Sequence, residues 1–306
     1  TGATLTLTCN SVVEMLDIPL MLDSLDTPGF PVAMAGIFAG WPGGELFRTD
    51  DGGQTWVDVQ GFAPPAAVMG FALNTIGVVN TALIDKGSVL SAMLNGDAPA
   101  SISEAAMLAG SNWFAYGVHG RWEIIAAQKC VLQGDGSYLL SDLLRGQQGT
   151  EWACGLHAIG DHLVELDSSA LAFVAANTNS IGLARTYRGV TIGKSIDSAS
   201  DVPFTYTGVN LKPLSPCYLN GNRHPTTNDW TLECTRRTRV GGAWRDYVDA
   251  SLGEATEAYE WEIDTLFSGD PDFPSVSVSM HMNDAGLSDV KGAVVSLFGN
   301  VTRSAT

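Results

Sequence analysis

The chain has few charged residues, and most of them are acidic. Only 16% of its 306 residues are Asp, Glu, Lys or Arg, and the formal net charge is −17. A typical globular protein has roughly a quarter charged residues. A groove for nucleic acid needs clustered Lys and Arg, and the one dense basic run is Arg236-Arg237-Thr-Arg239. We therefore expect no nucleic-acid partner, and a surface partly covered by neighbouring proteins.

Long apolar runs and paired cysteines are missing as well. No run of about 18 apolar residues is present, so the sequence predicts no membrane span. The cysteines lie at positions 9, 130, 154, 217 and 234 and include no CxxC pair. Because their number is odd and their spacing irregular, we interpret them as buried thiols of a chain made in a reducing cytoplasm.

No constellation of residues predicts an enzyme. No serine lies in a nucleophile-elbow motif, and the Gly-rich pieces lack the strand, lysine and helix of a phosphate loop. Cys154, His157 and His162 could begin a zinc site, but a second cysteine at ligand spacing and a fourth ligand are missing. We interpret these three residues as part of a loop, and we predict no catalytic residue, metal or cofactor.

The remaining pattern is mostly that of short β-strands. Apolar or alternating runs bounded by Gly, Pro, Asn and Asp recur along the first two thirds of the chain. Ser101-Ile-Ser-Glu104 has the spacing of a capping box, and Gly110 can end that helix in a left-handed conformation. A second short turn is predicted at Thr150. Because Thr1 is not a methionine and opens a strand-like run, we expect a piece of a longer protein.

One short motif carries a specific turn chemistry. Residues 49–56, Thr-Asp-Asp-Gly-Gly-Gln-Thr-Trp, fit the Asp-box pattern of sialidases and related β-propellers. In such a hairpin the aspartate accepts hydrogen bonds from turn amides, a glycine takes a positive φ and the tryptophan packs across the ribbon. A propeller needs about four to eight blades, whereas this chain has a single box, so we interpret it as a rigid structural hairpin. Its defining residues are Thr49, Asp51, Gly53, Thr55 and Trp56.

The C-terminal third has the pattern of a β-sandwich. Apolar and polar residues alternate in 229–235 and again in 258–264, the period of strands with one buried face. We predict two regions: a β-rich region over 1–206 with one or two short helices, and a fibronectin type III or immunoglobulin-like sandwich over 207–306. Trp230 and Trp261 should be buried in the sandwich. Its last strands should be 275–280 and 293–298.

Seven segments of the chain form an ordered set: 105–112, 120–125, 143–151, 207–216, Trp230 with 235–239, 252–254 and 259–262. Together they resemble the C-terminal region of siphophage tail-hub proteins, a region also found in the "megatron" baseplate protein of gene transfer agents. The resemblance covers nearly the whole chain. It implies a structural and host-recognition role at a tail tip, usually around a three-fold axis. Large members of that family also carry a glycosidase-like barrel domain, to which nothing in this chain is similar.

Two function classes follow. The resemblance implies a structural component of a bacteriophage tail tip or baseplate hub, a virion protein made in the host cytoplasm. Its partners would be other tail and baseplate proteins and a host-surface receptor or glycan. We expect the intact protein to be a homotrimer, and the present chain alone to be monomeric or weakly trimeric.

The alternative is a carbohydrate-binding module of a larger surface-acting protein. Exposed tryptophans would then supply platforms on which sugar rings stack. The candidates are Trp41, Trp113, Trp152 and Trp244.

The long loop from Thr235 to Thr256 is the predicted contact surface. Arg and aromatic side chains dominate the energetics of protein interfaces, and this loop carries both. A solvated insertion between two sandwich strands is the other interpretation. The candidate contact residues are Arg236, Arg237, Arg239, Trp244 and Tyr247.

Overall fold

The protein is mainly β, as the sequence predicts. The computed structural model describes residues 9–223 except 38–39 and 97–98, together with 225–226, 230–242, 247–248, 250, 252–254, 259–266, 275–282, 290–291 and 295–298. The chain forms two compact units. The first comprises Thr1–Pro19 with Thr27–Asn210, and the second comprises Leu20–Asp26 with Leu211–Thr306.

The strands of the first unit are short and pair antiparallel. In chain order they are β1 (Ser11–Met15), β2 (Gly29–Gly36), β3 (Gly44–Thr49), β4 (Val57–Phe62), β5 (Met69–Ala72), β6 (Asp85–Leu94), β7 (Trp113–Val118), β8 (Arg121–Leu132), β9 (Tyr138–Gln147), β10 (His162–Glu165), β11 (Leu171–Ala175), β12 (Ala184–Thr191) and β13 (Val202–Thr205). The helix α1 (Glu104–Leu108) precedes β7. Short 3-10 turns lie at Asp23–Leu25, Glu151–Ala153, Thr178–Ser180, Ile196–Ser198 and Val209–Leu211.

Two sheets of the first unit share one apolar core. One sheet has the order β1-β2-β11 and the other β13-β12-β3-β4. The Phe30 ring of β2 lies 4.6 Å from that of Phe204 in β13 and 6.2 Å from that of Tyr187 in β12, measured between centroids. Because inward side chains of both sheets meet in this core, the N-terminal region contains a sandwich. The sequence patterns had indicated one only in the C-terminal region.

A closed six-stranded barrel lies between β4 and β11 in chain order. Its strands follow each other as β10-β5-β6-β9-β8-β7. Alternate residues such as Leu90, Phe114 and Leu140 point inward and are completely buried. A side chain at Gly70 in β5 would place its Cβ 1.8 Å from the carbonyl oxygen of Met93 in β6. Only glycine therefore permits this close approach of two barrel strands.

The single predicted helix is present, but its first turn begins later than the capping box suggests. Ser103, and not Ser101, is the N-cap, and its hydroxyl accepts the backbone N–H of Ala106 at 3.2 Å. The Ser101 hydroxyl instead accepts the N–H of Cys130 in β8 at 3.0 Å. Gly110 has a φ of +98° after the helix, as expected. Tertiary pairing with β8 thus removes Ser101 from the cap.

The second unit contains the strands predicted for it. They are β14 (Cys217–Arg223), β15 (Trp230–Thr235), β16 (Tyr259–Leu266), β17 (Ser275–Met282), β18 (Val290–Lys291) and β19 (Val295–Phe298). β14 pairs with β15, and β17 pairs with β16, β18 and β19. The side chains of Trp230 and Trp261, which we expect to be buried, lie outside the described residues.

The cysteines test the expectation of buried, unpaired thiols. None of the five cysteines, all of which the structure describes, forms a disulfide. Cys9 and Cys154 are buried as expected, whereas the expectation of burial is wrong for Cys130, Cys217 and Cys234, which are partly exposed. Burial raises the pKa of the partly covered Cys130 to about 12.

Among the residues that the structure describes, no helix has the length and apolar character needed to cross a membrane.

Candidate functional site

Residues of β8 and β9 form a buried ion pair at one end of the barrel. Glu123 belongs to 120–125 in β8, and Arg145 belongs to 143–151 in β9. The Arg145 Nε donates to Glu123 Oε1 at 2.7 Å, and its Nη2 donates to Glu123 Oε2 at 2.8 Å. Both side chains are completely buried. This two-point geometry is the strong form of an arginine–carboxylate pair.

The local backbone explains why these two side chains point into the barrel. Glu123 lies two residues before Ile125, and Arg145 two residues after Leu143, and both apolar residues belong to the barrel core. The β8–β9 register shifts here, which adds one residue to β9. Gly146 takes a φ of +59° at this bulge, and its N–H donates to Glu123 Oε1 at 2.8 Å. Such bulges redirect a neighbouring side chain.

A histidine and a second ion pair extend this contact into a network. His157 Nε2 lies 2.6 Å from Glu123 Oε2, and His157 Nδ1 lies 3.2 Å from Asp161 Oδ2. Arg121 donates through both terminal nitrogens to Asp161, at 2.8 and 2.9 Å. The Tyr116 ring stacks on His157 with 3.8 Å between centroids. We call the chain Arg145–Glu123–His157–Asp161–Arg121 the barrel network.

Positively charged and hydrogen-bonding partners in the barrel network offset the cost of burying its two carboxylates. Burial would raise the pKa of Glu123, but the hydrogen bonds from His157 and Arg145 outweigh it and hold that pKa below its usual value. The same competition lowers the pKa of Asp161, through Arg121 and the backbone N–H of Ala158. Both ring nitrogens of His157 lie within hydrogen-bonding distance of carboxylate oxygens.

The geometry of the barrel network indicates a structural role, in which its contacts hold parts of the barrel together. Glu123, Arg145 and His157 have no solvent-exposed side-chain surface, and each already contacts a charged partner. A general acid or base must reach a proton of its substrate, which these side chains do not in this arrangement. The network instead ties β8 and β9 to the loop that leads into β10.

The three residues considered for zinc have separate partners. His157 belongs to the barrel network, the Cys154 thiol lies 3.9 Å from the carbonyl oxygen of Gly77, and His162 Nδ1 lies 2.9 Å from Glu14 Oε2. The hydrogen bond to Glu14 raises the pKa of His162. Within the described ranges, no group of three or more His, Cys, Asp or Glu side chains is arranged to hold a metal ion.

The Asp-box residues form a turn built on one carboxylate. Asp51 Oδ1 accepts the backbone N–H groups of Gln54 at 3.0 Å and Thr55 at 2.9 Å, and Oδ2 accepts the Thr55 hydroxyl at 2.6 Å. Hydrogen bonds from Thr55 and Thr49 lower the pKa of Asp51 to about 2. Gly53 has a φ of +94°, and its N–H donates to the Thr49 hydroxyl at 2.9 Å.

Trp56 contacts a strand outside its own hairpin. Its ring lies against the guanidinium of Arg188 in β12, 4.4 Å from the ring centroid, and this cation–π contact joins the hairpin to a strand beyond its own ribbon. The aromatic residue is therefore occupied in a contact within the sheet.

The arginines of the predicted contact loop bind residues of their own unit. Arg236 donates to the carbonyl of Ala250 at 2.8 Å, and Arg237 donates to that of Ser215 at 2.5 Å. Arg239 pairs with Glu254 at 2.8 Å and also with Asp26. Burial alone would lower the pKa of Arg239. The hydrogen bonds with Asp26 and Glu254 outweigh burial and raise that pKa above its usual value. Tyr247 is fully exposed, and Trp244 lies outside the described residues.

The tryptophans proposed as sugar platforms occupy different environments. Trp41 is only 7% exposed, and its Nε1 donates to the Ser11 hydroxyl at 2.9 Å, so the expectation of an exposed ring is wrong. Trp113 is partly buried. Trp152, at 54% exposure, has the accessible surface that a stacking platform needs.

Comparisons with known proteins single out the barrel. A family described as Rcc01698-like, C-terminal, matches residues 67–164. This stretch begins just before β5 and ends within β10, so it contains nearly all of the barrel strands and none of the sandwich strands. A comparison with curated proteins finds no match. The residues that this family model matches therefore coincide with most of the barrel.

The barrel network predicts a large loss of stability when one partner is removed. Arg145→Met leaves the Glu123 carboxylate buried without its main partner, and breaking such a pair costs about 3–5 kcal/mol. Urea unfolding of the variant measures this loss. Replacing both residues, as in Glu123→Leu with Arg145→Met, should cost less than the single change, because the buried Glu123 carboxylate is then absent.

Lys129→Met is the matched control. Lys129 also lies in a barrel strand and pairs with Asp142 at 2.6 Å, but at the surface, where ion pairs contribute little. A loss for Arg145→Met no larger than that for Lys129→Met would contradict a fastening role for the network.

The Asp51 hairpin predicts a pH-dependent effect. Because the folded pKa of about 2 lies below the ordinary 3.8, the carboxylate stabilises the fold above about pH 3.8 and this contribution is lost as pH falls towards 2. Asp51→Ala should therefore accelerate hydrogen exchange at Gln54 and Thr55 near neutral pH, while the wild-type chain converges with it at low pH. Asp58→Ala, which removes an exposed carboxylate of β4, is the control. Sialoside hydrolysis by the wild type that is lost in Asp51→Ala would instead reveal an enzymatic site.

Proposed function

We propose that this chain is a structural component of a bacteriophage tail tip or baseplate hub that contributes to recognition of the host surface. The observation that carries the proposal is the ordered set of segments that resemble tail-hub and megatron proteins. Two of these, 120–125 and 143–151, supply the two halves of one buried ion pair. The resemblance therefore includes residues that are needed together for one interaction, which supports a shared scaffold.

In this proposal, the second unit is a fibronectin type III or immunoglobulin-like sandwich over residues 207–306. Its described strands are antiparallel and fall into two groups, β14-β15 and β16 to β19. Such a domain is suited to a structural protein, because the loops at either end of the sandwich can bind partners while the two sheets form an unchanged scaffold. In this interpretation, Tyr247 is an exposed aromatic of one such loop.

An exposed apolar patch at the barrel end supports a role in assembly. The loops 73–84 and 154–161 approach each other there, since a Cβ on Gly155 would lie 2.4 Å from the side chain of Val78. Val78 is 78% exposed and Ile159 is 71% exposed. Exposed apolar side chains on two adjoining loops are typical of protein interfaces. We propose that other copies in a homotrimer, or neighbouring tail proteins, cover this barrel-end patch, which consists of Val78, Leu83, Trp152, Leu156 and Ile159.

A carbohydrate-binding module is the second candidate function. Trp152 provides one exposed aromatic ring, whereas the buried Trp41 argues against a broad platform. The tail role has more support because it also accounts for the order of the resembling segments.

Labelling of whole particles tests the proposed function. Gold-conjugated antibodies raised against this chain should decorate the distal end of the tail in electron micrographs. In the same particles, Ile159→Asp should reduce the number of assembled tails, because a charge in the barrel-end patch opposes its burial between proteins.

Leu132→Asp is the matched control, since Leu132 is also an exposed apolar residue of the barrel, at the far end of β8. Gold on the head or on no part of the particle would reject the tail-tip proposal. Equal tail counts for both variants would reject the assembly role of the patch.

A further inference from the structure

A small cavity opens at one end of the N-terminal sandwich. Its volume is about 210 Å³, and its lining comes from both sheets. Phe30 of β2 and Tyr187 of β12 form an aromatic wall, and Asn177 and Ser180 add polar groups. Ligand sites of this kind combine apolar walls with a few convergent polar groups. The volume is below the usual range of about 300–1,000 Å³, so a small ligand fits it best.

Two arginines of this cavity stand at inward positions of the sandwich. Arg48 follows Leu46 by two residues in β3, and Arg185 precedes Tyr187 by two residues in β12. Both Leu46 and Tyr187 belong to the sandwich core, so alternation places the two guanidiniums on the same inner side. Apolar residues would ordinarily occupy such positions. The side chains of Arg48 and Arg185 are 28% and 23% exposed, and solvent can reach both of them.

The two guanidiniums share a single carboxylate. Asp50 Oδ2 accepts from Arg48 Nη2 at 3.0 Å, and its Oδ1 lies 3.1 Å from Arg185 Nε. This leaves one excess positive charge in a chain whose net charge is −17. Among the described residues, the Arg48 Nε is buried and has no hydrogen-bond partner. A buried donor without an acceptor is costly, so a bound oxyanion at this position would stabilise the site.

We propose that this cavity binds the carboxylate of an acidic sugar. A guanidinium offers parallel N–H groups that match a planar carboxylate. The Phe30 and Tyr187 rings close the inner end of the cavity at 2% and 3% exposure. The hydroxyls of a sugar match the Asn177 amide and the Ser180 hydroxyl at its polar side. Burial raises the pKa of Tyr187, so its phenol stays neutral beside the ligand. The inference is independent of the tail-tip proposal, and either can fail alone.

Titration calorimetry on the purified chain with four probes tests this site. Glucuronate should bind at least about tenfold more tightly than glucose, the equivalent of one charge-assisted hydrogen bond. Acetate tests the carboxylate without the ring, and inorganic phosphate tests a general oxyanion site. Both should bind more weakly than glucuronate. Glucuronate binding that does not exceed that of any one of the other three probes would overturn the proposal.

Substitutions then locate the binding. Arg48→Gln and Arg185→Gln should each weaken glucuronate binding by about tenfold or more. Arg188→Gln is the matched control, because Arg188 lies in the same strand as Arg185 but outside the cavity, paired with Asp201 at 2.6 Å. Unchanged affinity in the first two variants would also overturn the proposal. If those variants do not fold, the comparison of the four probes on the wild-type chain decides alone.

Discussion

The buried pair of Glu123 and Arg145 is the interaction on which the barrel depends most. Two charges that are removed from water are tolerated only when their geometry is good and their remaining hydrogen-bonding groups are satisfied. Here the carboxylate also accepts the N–H of Gly146 and contacts His157. The bulge at Gly146 and the loop that carries His157 are therefore parts of one arrangement. Each has to form for the pair to be compensated.

The same use of charge recurs through the chain and helps to explain its composition. The sequence has 16 Lys and Arg residues, and many of its arginines form ion pairs with carboxylates of the same chain. The pairs of Arg239 with Glu254 and of Arg185 with Asp50 follow this pattern. Cations committed to such pairs leave the unpaired acidic residues to dominate the surface charge. The ion-paired arginines include Arg48, Arg121, Arg145, Arg185, Arg188 and Arg239.

Local patterns in the sequence predicted local structure, and long-range pairing decided the rest. The mainly β character and the strands of the second unit follow from alternation. Closure of the barrel does not, because β10 pairs with β5 and β7 from distant parts of the chain. Ser101 fails as a helix cap because β8 uses its hydroxyl. An inward direction for Arg145 was readable from Leu143, but its partner depends on a bulge that alternation does not show.

Native-state hydrogen exchange on the whole chain tests most directly whether the barrel network fastens the barrel. The N–H of Gly146 donates to the Glu123 carboxylate, and the N–H of Ile124 donates to the Thr150 hydroxyl at 2.9 Å. Both amides depend on side-chain acceptors next to the network. We predict that they exchange as slowly as the central barrel strands, in one cooperative opening. Exchange as fast as that of the exposed hairpin amide of Gln54 would contradict the account.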